Sequence, residues 1–418
     1  MTVLKIISFI IINLSVSGAY FFNYFISTSL FACEFNDKYY FSLKTYLIYS
    51  QIIGYFVGKI LCAFFLSGID KKKRFFIFLS VYSANIICYL PFYLGGLYVK
   101  MFSVFTSGIL LSSIWGFIMF YIEGRYGIEI IMISLNFFTI LGNGASRSFA
   151  SILLEGKIQE GWIPLICSVV GCVGGCACVY MLKFICELDP LEEERREVTI
   201  TDQTTYLKKY FLGILGISFM YGLMTSFKKF RDYFGLEIWK SIYGNNFPSH
   251  LYFSSEAFSA IAVTIAFATI FAFKDARKSF YYMLIMFLVM SIFILITTVS
   301  YILFPNYGYL WIILTNIPMY SIYLPLGSLI YDKLMSYTGG KITSVFVFYI
   351  ADIFGSLFTI ITVLLKDLVM DTEKILFFLK IFSIVTGIIM TILSVLTIAY
   401  FLISERIFRK KITVEMNE

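Results

Sequence analysis

The 418-residue sequence is 59% hydrophobic and only 14% charged, with a formal net charge of +7. Its mean hydropathy is +0.85, and no water-soluble core needs that much apolar sequence. The composition therefore excludes a soluble protein. The sequence also has no long basic tract with interleaved aromatic residues, which argues against nucleic-acid binding.

Apolar stretches of about 20 residues, each long enough to cross a hydrocarbon layer of about 30 Å, recur along the whole chain. The first begins almost at Met1 and has no small-residue cleavage pattern behind a short apolar core, so we expect it to be retained rather than removed as a signal peptide. The sequence predicts an all-α membrane protein with twelve transmembrane helices, centred near residues 16, 56, 85, 110, 138, 173, 216, 263, 290, 319, 354 and 390.

Lys and Arg in the connections set the orientation, because cytoplasmic loops carry the excess of positive charge. With the N-terminus inside, the strongest basic clusters fall on the cytoplasmic side; they lie at 71–74, 208–209, 274–278 and 406–411. We therefore predict a multi-pass protein of the cell membrane with both termini cytoplasmic.

The polar segment 186–209 lies halfway along the chain and has mixed charge, which is typical of a linker. Landmarks recur on its two sides, because Glu123 and Asp332 are separated by the same number of residues as Asn143 and Asp352. Two six-helix pseudo-repeats with a site between them near the midplane are the plan of the major facilitator fold. The predicted domains are an N-terminal bundle at 1–185, a cytoplasmic linker at 186–209, a C-terminal bundle at 210–405 and a cytoplasmic tail at 406–418.

Four stretches also resemble a known family: "YLIYSQIIGYFVGKILCAFF" (46–65), "IWGFIMFYIEGRYGIEII" (114–131), "SFKKFRDYFGLEIW" (226–239) and "YIADIFGSLF" (349–358). In this order they are similar to an uncharacterised family of bacterial multi-pass proteins, a domain of unknown function grouped with the major facilitator superfamily. The resemblance covers nearly the whole chain and implies a fold and a broad class, but no substrate. Members of the family have an Arg-Lys pair late in the first span, but residues 19–31 of this sequence contain no basic residue. The resemblance therefore does not imply an anionic substrate for this protein.

The loop after the second span, "GIDKKKRF" (68–75), resembles the superfamily's acid-then-basic loop but lacks its later glycine. Such loops supply cytoplasmic ion pairs that hold one half of the protein against the other. An acid with a nearby basic residue, which could form such an ion pair, also occurs at the ends of the fourth and tenth spans. The candidate gating residues are Asp70, Glu123, Arg125, Asp332 and Lys333; the alternative is that they are solvated helix ends, where a basic residue also suits the helix dipole.

Asp352 is the most unusual acid of the sequence, because it lies in the apolar run "FVFYIADIFGSLF". If its span starts near residue 343, its carboxyl group lies about 13 Å into the membrane. A charge at that depth is costly, so the side chain should face a water-filled cavity or a partner. We expect it to take up a proton or contact a solute; the alternative is a protonated acid that locks helix packing.

Other intramembrane polar residues complete the candidate binding set. Asn143 and Arg147 are one helical turn apart on the fifth span, where Arg147 binds a ligand or only anchors the outer interface. Glu256 is a second proton carrier or an ordinary acid at a helix N-terminus. Lys59 pairs with a carboxylate or extends to the surface.

The segment "SFKKFRDYFGLEIW" places Lys228, Arg231 and Asp232 on one side of the seventh span. In the superfamily this span commonly borders the solute pathway, so Arg231 and Asp232 join the binding candidates. The alternative is an interfacial amphipathic helix with its aromatic residues in lipid; these are Phe227, Phe230, Phe234 and Trp239.

Cysteine and histidine point to no further chemistry. Five of the eight cysteines lie in "CSVVGCVGGCACVYMLKFIC" (167–186), where small residues at a helix contact explain them without a metal. We expect no metal, no cofactor and no enzyme activity. The expected function is a monomeric secondary transporter of a small polar solute, with membrane lipid as its surroundings and possible proton coupling. The alternative is a transporter-like sensor or a lipid-modifying membrane enzyme.

Overall fold

The computed structural model describes residues 3–35, 37, 39–65, 71–122, 128–188, 200–273, 275–338, 344–369 and 374–415, and it is built of helices. The α-helices are α1 Val3–Ser27, α2 Leu43–Phe65, α3 Lys71–Tyr89, α4 Leu97–Ser112, α5 Ile114–Ile122, α6 Ile128–Glu155, α7 Ile163–Leu188, α8 Ile200–Tyr233, α9 Gly235–Tyr243, α10 His250–Ile270, α11 Ala276–Leu303, α12 Gly308–Gly327, α13 Leu329–Thr338, α14 Ser344–Val369 and α15 Ile375–Glu415. Short 3-10 helices occur at Ser29–Ala32, Leu90–Phe92, Glu160–Trp162 and Pro305–Tyr307.

Local sequence explains several helix ends. The Asp275 side chain accepts a hydrogen bond of 2.9 Å from the Arg277 backbone N–H, which caps the start of α11. Gly244 follows α9 with φ of 84° and ψ of −174°, a conformation that suits only glycine. Within α8, Tyr210 leaves helical geometry with φ of −113° and ψ of 21°. Residues 200–209 of the predicted linker therefore continue into the seventh span as a helix that is kinked at Tyr210.

Eleven helical segments of the described residues are long and apolar enough to cross a membrane. Each contains the centre of one predicted span. The remaining predicted span, centred near residue 56, corresponds to α2, which is not one of the eleven and carries Lys44, Gln51 and Lys59. The protein is therefore a multi-pass helical membrane protein.

The outer surface of α11 illustrates the pattern of a lipid-facing helix. Its exposed apolar residues recur every three or four positions and are 42–56% exposed: Ile285, Val289, Ile292, Ile296 and Val299. The polar residues Ser291 and Thr298 of the same helix are fully buried. Apolar groups outside and small polar groups inside are what hydrocarbon surroundings favour.

The chain divides into two compact units. Unit 1 comprises Met1–Arg196, Lys229–Ile265 and Ile360–Leu376, and unit 2 comprises Glu197–Lys228, Ala266–Thr359 and Phe377–Glu418. Unit 1 therefore includes the C-terminal end of α8, most of α10, the C-terminal part of α14 and the first two residues of α15. The predicted division into bundles at 1–185 and 210–405 stays a prediction.

Close backbone contact between α2 and α4 organises part of unit 1. A Cβ atom on Gly54 would lie 2.3 Å from the Phe105 carbonyl oxygen, and one on Gly108 would lie 2.9 Å from the Gln51 carbonyl oxygen. Only glycine permits this approach. Small residues at a helix contact are the usual means of close packing in membranes.

Candidate functional site

The candidate site in unit 1 starts from Asn143 and Arg147 on α6. Both side chains are buried, and Arg147 is only 3% exposed. The Arg147 Nε–H donates a 3.1 Å hydrogen bond to the Asn143 carbonyl oxygen one turn earlier, which fixes the direction of the guanidinium group. Between them, a Cβ atom on Gly144 would lie 2.8 Å from the Tyr252 carbonyl oxygen, so glycine is what permits α6 to approach α10 here.

Two carboxylates from other helices meet this arginine. Arg147 Nη2 donates to Glu256 Oε1 on α10 at 3.0 Å and lies 3.6 Å from Asp232 Oδ1 on α8. Asn143 Nδ2 donates a 2.7 Å hydrogen bond to the same Asp232 oxygen. Residues far apart in the sequence are therefore brought to one buried point.

A second arginine and an aromatic ring complete this group. Arg231 Nη2 lies 3.8 Å from Glu256 Oε1, and the Arg147 guanidinium lies over the Tyr252 ring at 5.3 Å from its centroid. Two arginines and two acids balance in charge, and none of the four is more than 5% exposed. Buried charges are tolerated only when paired in this way. We call Asn143, Arg147, Arg231, Asp232 and Glu256 the Arg147 cluster.

Two further ion pairs of unit 1 lie outside the predicted set. Lys44 of α2 donates to Glu237 of α9 at 2.8 Å and to the Phe31 carbonyl oxygen at 3.0 Å. Lys240, also of α9, pairs with Glu34. Partial burial lowers the pKa of Lys240. The signal for these pairs in the sequence is weak: acids and lysines occur in two connections on the same predicted side.

A third pair missed by sequence reasoning lies on α14. Lys366 and Asp367 are bonded at 2.9 Å, and their side chains are only 6% and 5% exposed. The Thr45 hydroxyl lies 3.5 Å from Asp367 Oδ1. This polar contact adds an end of α14 to the helices joined within unit 1.

Asp352, on α14 in unit 2, is 5% exposed. Its Oδ1 accepts a hydrogen bond of 3.4 Å from the Tyr221 hydroxyl of α8. A Cβ atom on Gly355 would lie 3.1 Å from Thr225, so α14 packs tightly on α8 beside the acid. The structure thus brings Asp352 to the tyrosine-bearing face of the seventh span.

The other predicted residues have different surroundings. Lys59 is half-buried, with its ammonium group 5.8 Å from the Tyr55 ring centroid. Asp332 and Lys333 lie in the first turn of α13, where Asp332 is exposed. The gating candidates Asp70, Glu123 and Arg125 lie outside the described residues, so the cytoplasmic ion pairs stay a prediction.

One sequence alternative is wrong. Phe227, Phe230, Phe234 and Trp239 are at most 4% exposed, so these rings pack inside protein rather than in lipid as an interfacial helix would require. Sequence periodicity cannot distinguish the two, because both surroundings favour aromatic residues. In the cysteine-rich helix α7, the Cys172 and Cys176 sulfurs are 3.7 Å apart. Among the described residues, no group of three or more potential metal ligands occurs.

The sequence profile described as "Family of unknown function (DUF5690)" matches residues 29–403. The chain belongs to this family. The resemblance read from the four sequence stretches is thereby confirmed. Among curated proteins, none matches this chain significantly.

Solved structures with the same fold are transporters. A bacterial homologue of the iron transporter ferroportin, in an inward-facing state, has a TM-score of 0.62 at 11% identity, with 95% of this chain and 100% of that chain covered. A bacterial homologue of the human lysosomal transporter Spinster, inward-facing and unoccupied, has a TM-score of 0.57 at 11% identity and 98% coverage of both chains. A mutant of the nucleoside transporter NupG has a TM-score of 0.54 at 12% identity, with 93% and 98% covered. This DUF5690 protein therefore shares its overall fold with these three structures.

Proposed function

We propose that the protein is a secondary active transporter that moves a small polar solute across the membrane by alternating access. The transporter fold supports this class. The observation that carries the proposal is the Arg147 cluster, a buried and charge-balanced set that joins α6, before the predicted linker, to α8 and α10 after it.

A buried ion cluster of this kind suits a contact that must open and close. Replacing a buried ion pair by apolar residues is often neutral or stabilising, so such pairs are weak evidence for a purely structural role. When the helices separate, water solvates both signs of charge and offsets the lost pairing. The closed and open arrangements then differ less in free energy than they would across a dry apolar contact.

The sequence-based topology assigns this closure to the outer side. In that topology the connection after α1 and the segment around α9 are both extracellular. These are the segments that the pairs Lys44–Glu237 and Lys240–Glu34 join. We infer that the three sets of ion pairs close the outer end of the pathway. The candidates Asp70, Glu123, Arg125, Asp332 and Lys333 are proposed to form the cytoplasmic counterpart.

Asp352 is proposed as the residue that binds a proton or the solute. An acid at mid-depth is tolerated when it is neutral in one state and charged or paired in another. The Tyr221 hydroxyl gives it a hydrogen-bond donor on the seventh span. Among the other binding candidates, Glu256 and Arg147 are proposed to act mainly in closure.

The test is solute counterflow in proteoliposomes, followed by a locking experiment. Vesicles loaded with an unlabelled metabolite extract should take up the matching labelled solutes, whereas protein-free vesicles should not. Glu34→Cys and Lys240→Cys, joined through two disulfides by a short bis-methanethiosulfonate reagent, should then stop counterflow, and a reductant that cleaves the disulfides should restore it. Each single cysteine variant, treated identically, is the matched control. Absence of counterflow for every solute would refute transport, and full counterflow by the cross-linked protein would refute alternating access.

A further inference from the structure

Glu160 holds the backbone of the connection between α1 and α2. This half-buried acid begins the short 3-10 helix between α6 and α7. The Glu34 N–H donates to Glu160 Oε1 and the Phe35 N–H donates to Oε2, each at 2.9 Å. Two successive N–H groups that converge on one carboxylate form a strong anion-binding arrangement. One side chain therefore fixes the backbone at two successive residues.

The segment that carries Glu160 is itself fixed by Tyr93, which follows the 3-10 helix before α4. The Tyr93 hydroxyl donates a 2.8 Å hydrogen bond to Gln159 Oε1. The Tyr93 ring also stacks on Trp162, with centroids 4.3 Å apart and planes at 24°. Because residues on both sides of Glu160 contact the same tyrosine, the carboxylate is presented from a supported position.

Phe35 shows that this turn depends on its surroundings. Its φ is 50°, in the left-handed region that is unfavourable for a bulky residue. Such a conformation persists only where neighbouring groups hold it. The Phe35 ring is 6% exposed and lies 5.9 Å from the Phe92 ring centroid, while Glu160 binds the Phe35 N–H. Loss of the carboxylate would let the turn relax and move Glu34.

The position of Glu34 matters because its side chain pairs with Lys240 of α9. The side chains of Lys240 and Glu34 are 27% and 37% exposed. An exposed pair gains little, since holding two long side chains in one geometry costs entropy. Fixing the backbone beforehand removes part of that cost. Lys44, which pairs with Glu237 of the same helix, lies in the first turn of α2 and is placed by that helix instead.

We infer that Glu160 is the positioning residue of the Glu34–Lys240 pair: its carboxylate holds the turn at residues 34 and 35 so that Glu34 is presented to α9. This inference rests on the proposed closure at the outer end, to which it adds a residue. It also separates the two contacts with α9. One depends on Glu160, and the contact made by Lys44 does not.

Two cysteine pairs in the full-length protein, reconstituted in proteoliposomes, report the two contacts separately. Glu34→Cys with Lys240→Cys keeps the backbone N–H groups that Glu160 binds. Lys44→Cys with Glu237→Cys reports the contact that α2 positions. Each pair is linked by the short bis-methanethiosulfonate reagent, and the rate is followed by mass spectrometry of the joined peptides.

Glu160→Gln keeps the shape of the side chain but replaces one acceptor oxygen by an NH₂ group, which cannot accept from an N–H. It should slow the 34–240 link by about fivefold or more, because hydrogen bonds to a charged group are lost. The 44–237 link should change by less than about twofold. Glu160→Asp keeps both oxygens on a shorter side chain and should give an intermediate rate. Glu155→Gln, at the exposed last residue of α6, is the matched control and should leave both rates unchanged.

Two results would overturn the inference. One is an undiminished 34–240 link in Glu160→Gln. The other is an equal loss in both links, which would mean that Glu160 supports the whole outer segment rather than one pair. If Glu160→Gln shows no cooperative thermal unfolding, Glu160→Asp is compared with the wild-type residue, and the same two results decide.

Counterflow distinguishes failure of this inference from failure of the proposed function. Counterflow by the otherwise unmodified protein, together with linking that Glu160→Gln does not change, would overturn the inference and leave transport in place. Selective loss of the 34–240 link in a protein that shows no counterflow for any solute would support the role of Glu160 and refute transport.

Discussion

Replacing Arg147 by methionine removes a buried positive charge from between two carboxylates and keeps an unbranched side chain about as long as the aliphatic part of arginine. The guanidinium Nη2 lies 3.0 Å from Glu256 Oε1 and 3.6 Å from Asp232 Oδ1. At an effective dielectric constant of about 20, each contact represents a Coulomb attraction of about 5 kcal/mol before desolvation is subtracted. Arg231 Nη2 lies farther from the same Glu256 oxygen, at 3.8 Å, and so compensates this acid less strongly than Arg147 does.

The expected loss in the free energy of unfolding depends on the negative charge that stays buried after the substitution. Breaking a buried ion pair by removing one partner costs about 3–5 kcal/mol, because the other charge stays buried without compensation. We therefore expect Arg147→Met to lower the free energy of unfolding by about 3–5 kcal/mol. Arg147→Lys should cost less, because it keeps the charge but loses the Nε–H donation to Asn143.

The assay is unfolding by sodium dodecyl sulfate in mixed micelles, followed by the fluorescence of the four tryptophans. Lys240→Met is the matched control, because Lys240 and Glu34 are 27% and 37% exposed in their side chains. Exposed pairs contribute about 0–1 kcal/mol. A loss for Arg147→Met within about 1 kcal/mol of the loss for Lys240→Met would refute the argument from burial.

Three further predictions concern coupling, packing and topology. Asp352→Asn should abolish proton-driven accumulation in proteoliposomes yet keep solute exchange, because exchange does not require the proton to leave. Gly54→Val should lower the free energy of unfolding by about 1–3 kcal/mol, because its Cβ would lie 2.3 Å from the Phe105 carbonyl oxygen. Gly96→Ala, with no atom within 4 Å of its added Cβ, should change stability by less than about 0.5 kcal/mol. A cysteine introduced at residue 196 should react only with cytoplasmic thiol reagents.

Each of these has an outcome that counts against it. Normal accumulation with normal pH dependence in Asp352→Asn would make the acid a packing residue and leave Glu256 as the next proton carrier to test. Equal stability of Gly54→Val and Gly96→Ala would mean that α2 and α4 can separate freely. Labelling of residue 196 from the outside alone would invert the topology.

Long apolar stretches are what made the membrane fold predictable. Eleven of the predicted centres lie in membrane-compatible helical segments, because a run of about 20 apolar residues has few alternatives to a spanning helix. Helical spacing also predicted that Asn143 and Arg147 lie on one face of their helix, since residues four apart share a face. The weakest span signal was α2, whose polar residues Lys44 and Gln51 are buried in protein rather than exposed to lipid.

Which charged residues pair with each other was harder to predict from one sequence. Lys44 and Glu237 are 193 residues apart, and Lys240 is 206 residues from Glu34. Nothing in either connection specifies which charge it meets. The tyrosines near Asp352 were missed for a related reason, because Tyr221 and Tyr331 lie in apolar runs and resemble ordinary core residues. Only helix packing brings their hydroxyl groups towards the acid.

The composition of unit 1 from three separate stretches has a consequence for biosynthesis. Arg147 and Glu256 are 109 residues apart, and ribosomes add about 5–20 residues per second. Arg147 is therefore added to the growing chain about 5–20 s before Glu256. During that interval α6 carries a cation whose native partners on α8 and α10 have not been made. Insertion of α6 would then need temporary surroundings that stabilise this positive charge, such as the water-filled interior of the insertion machinery or anionic lipid headgroups.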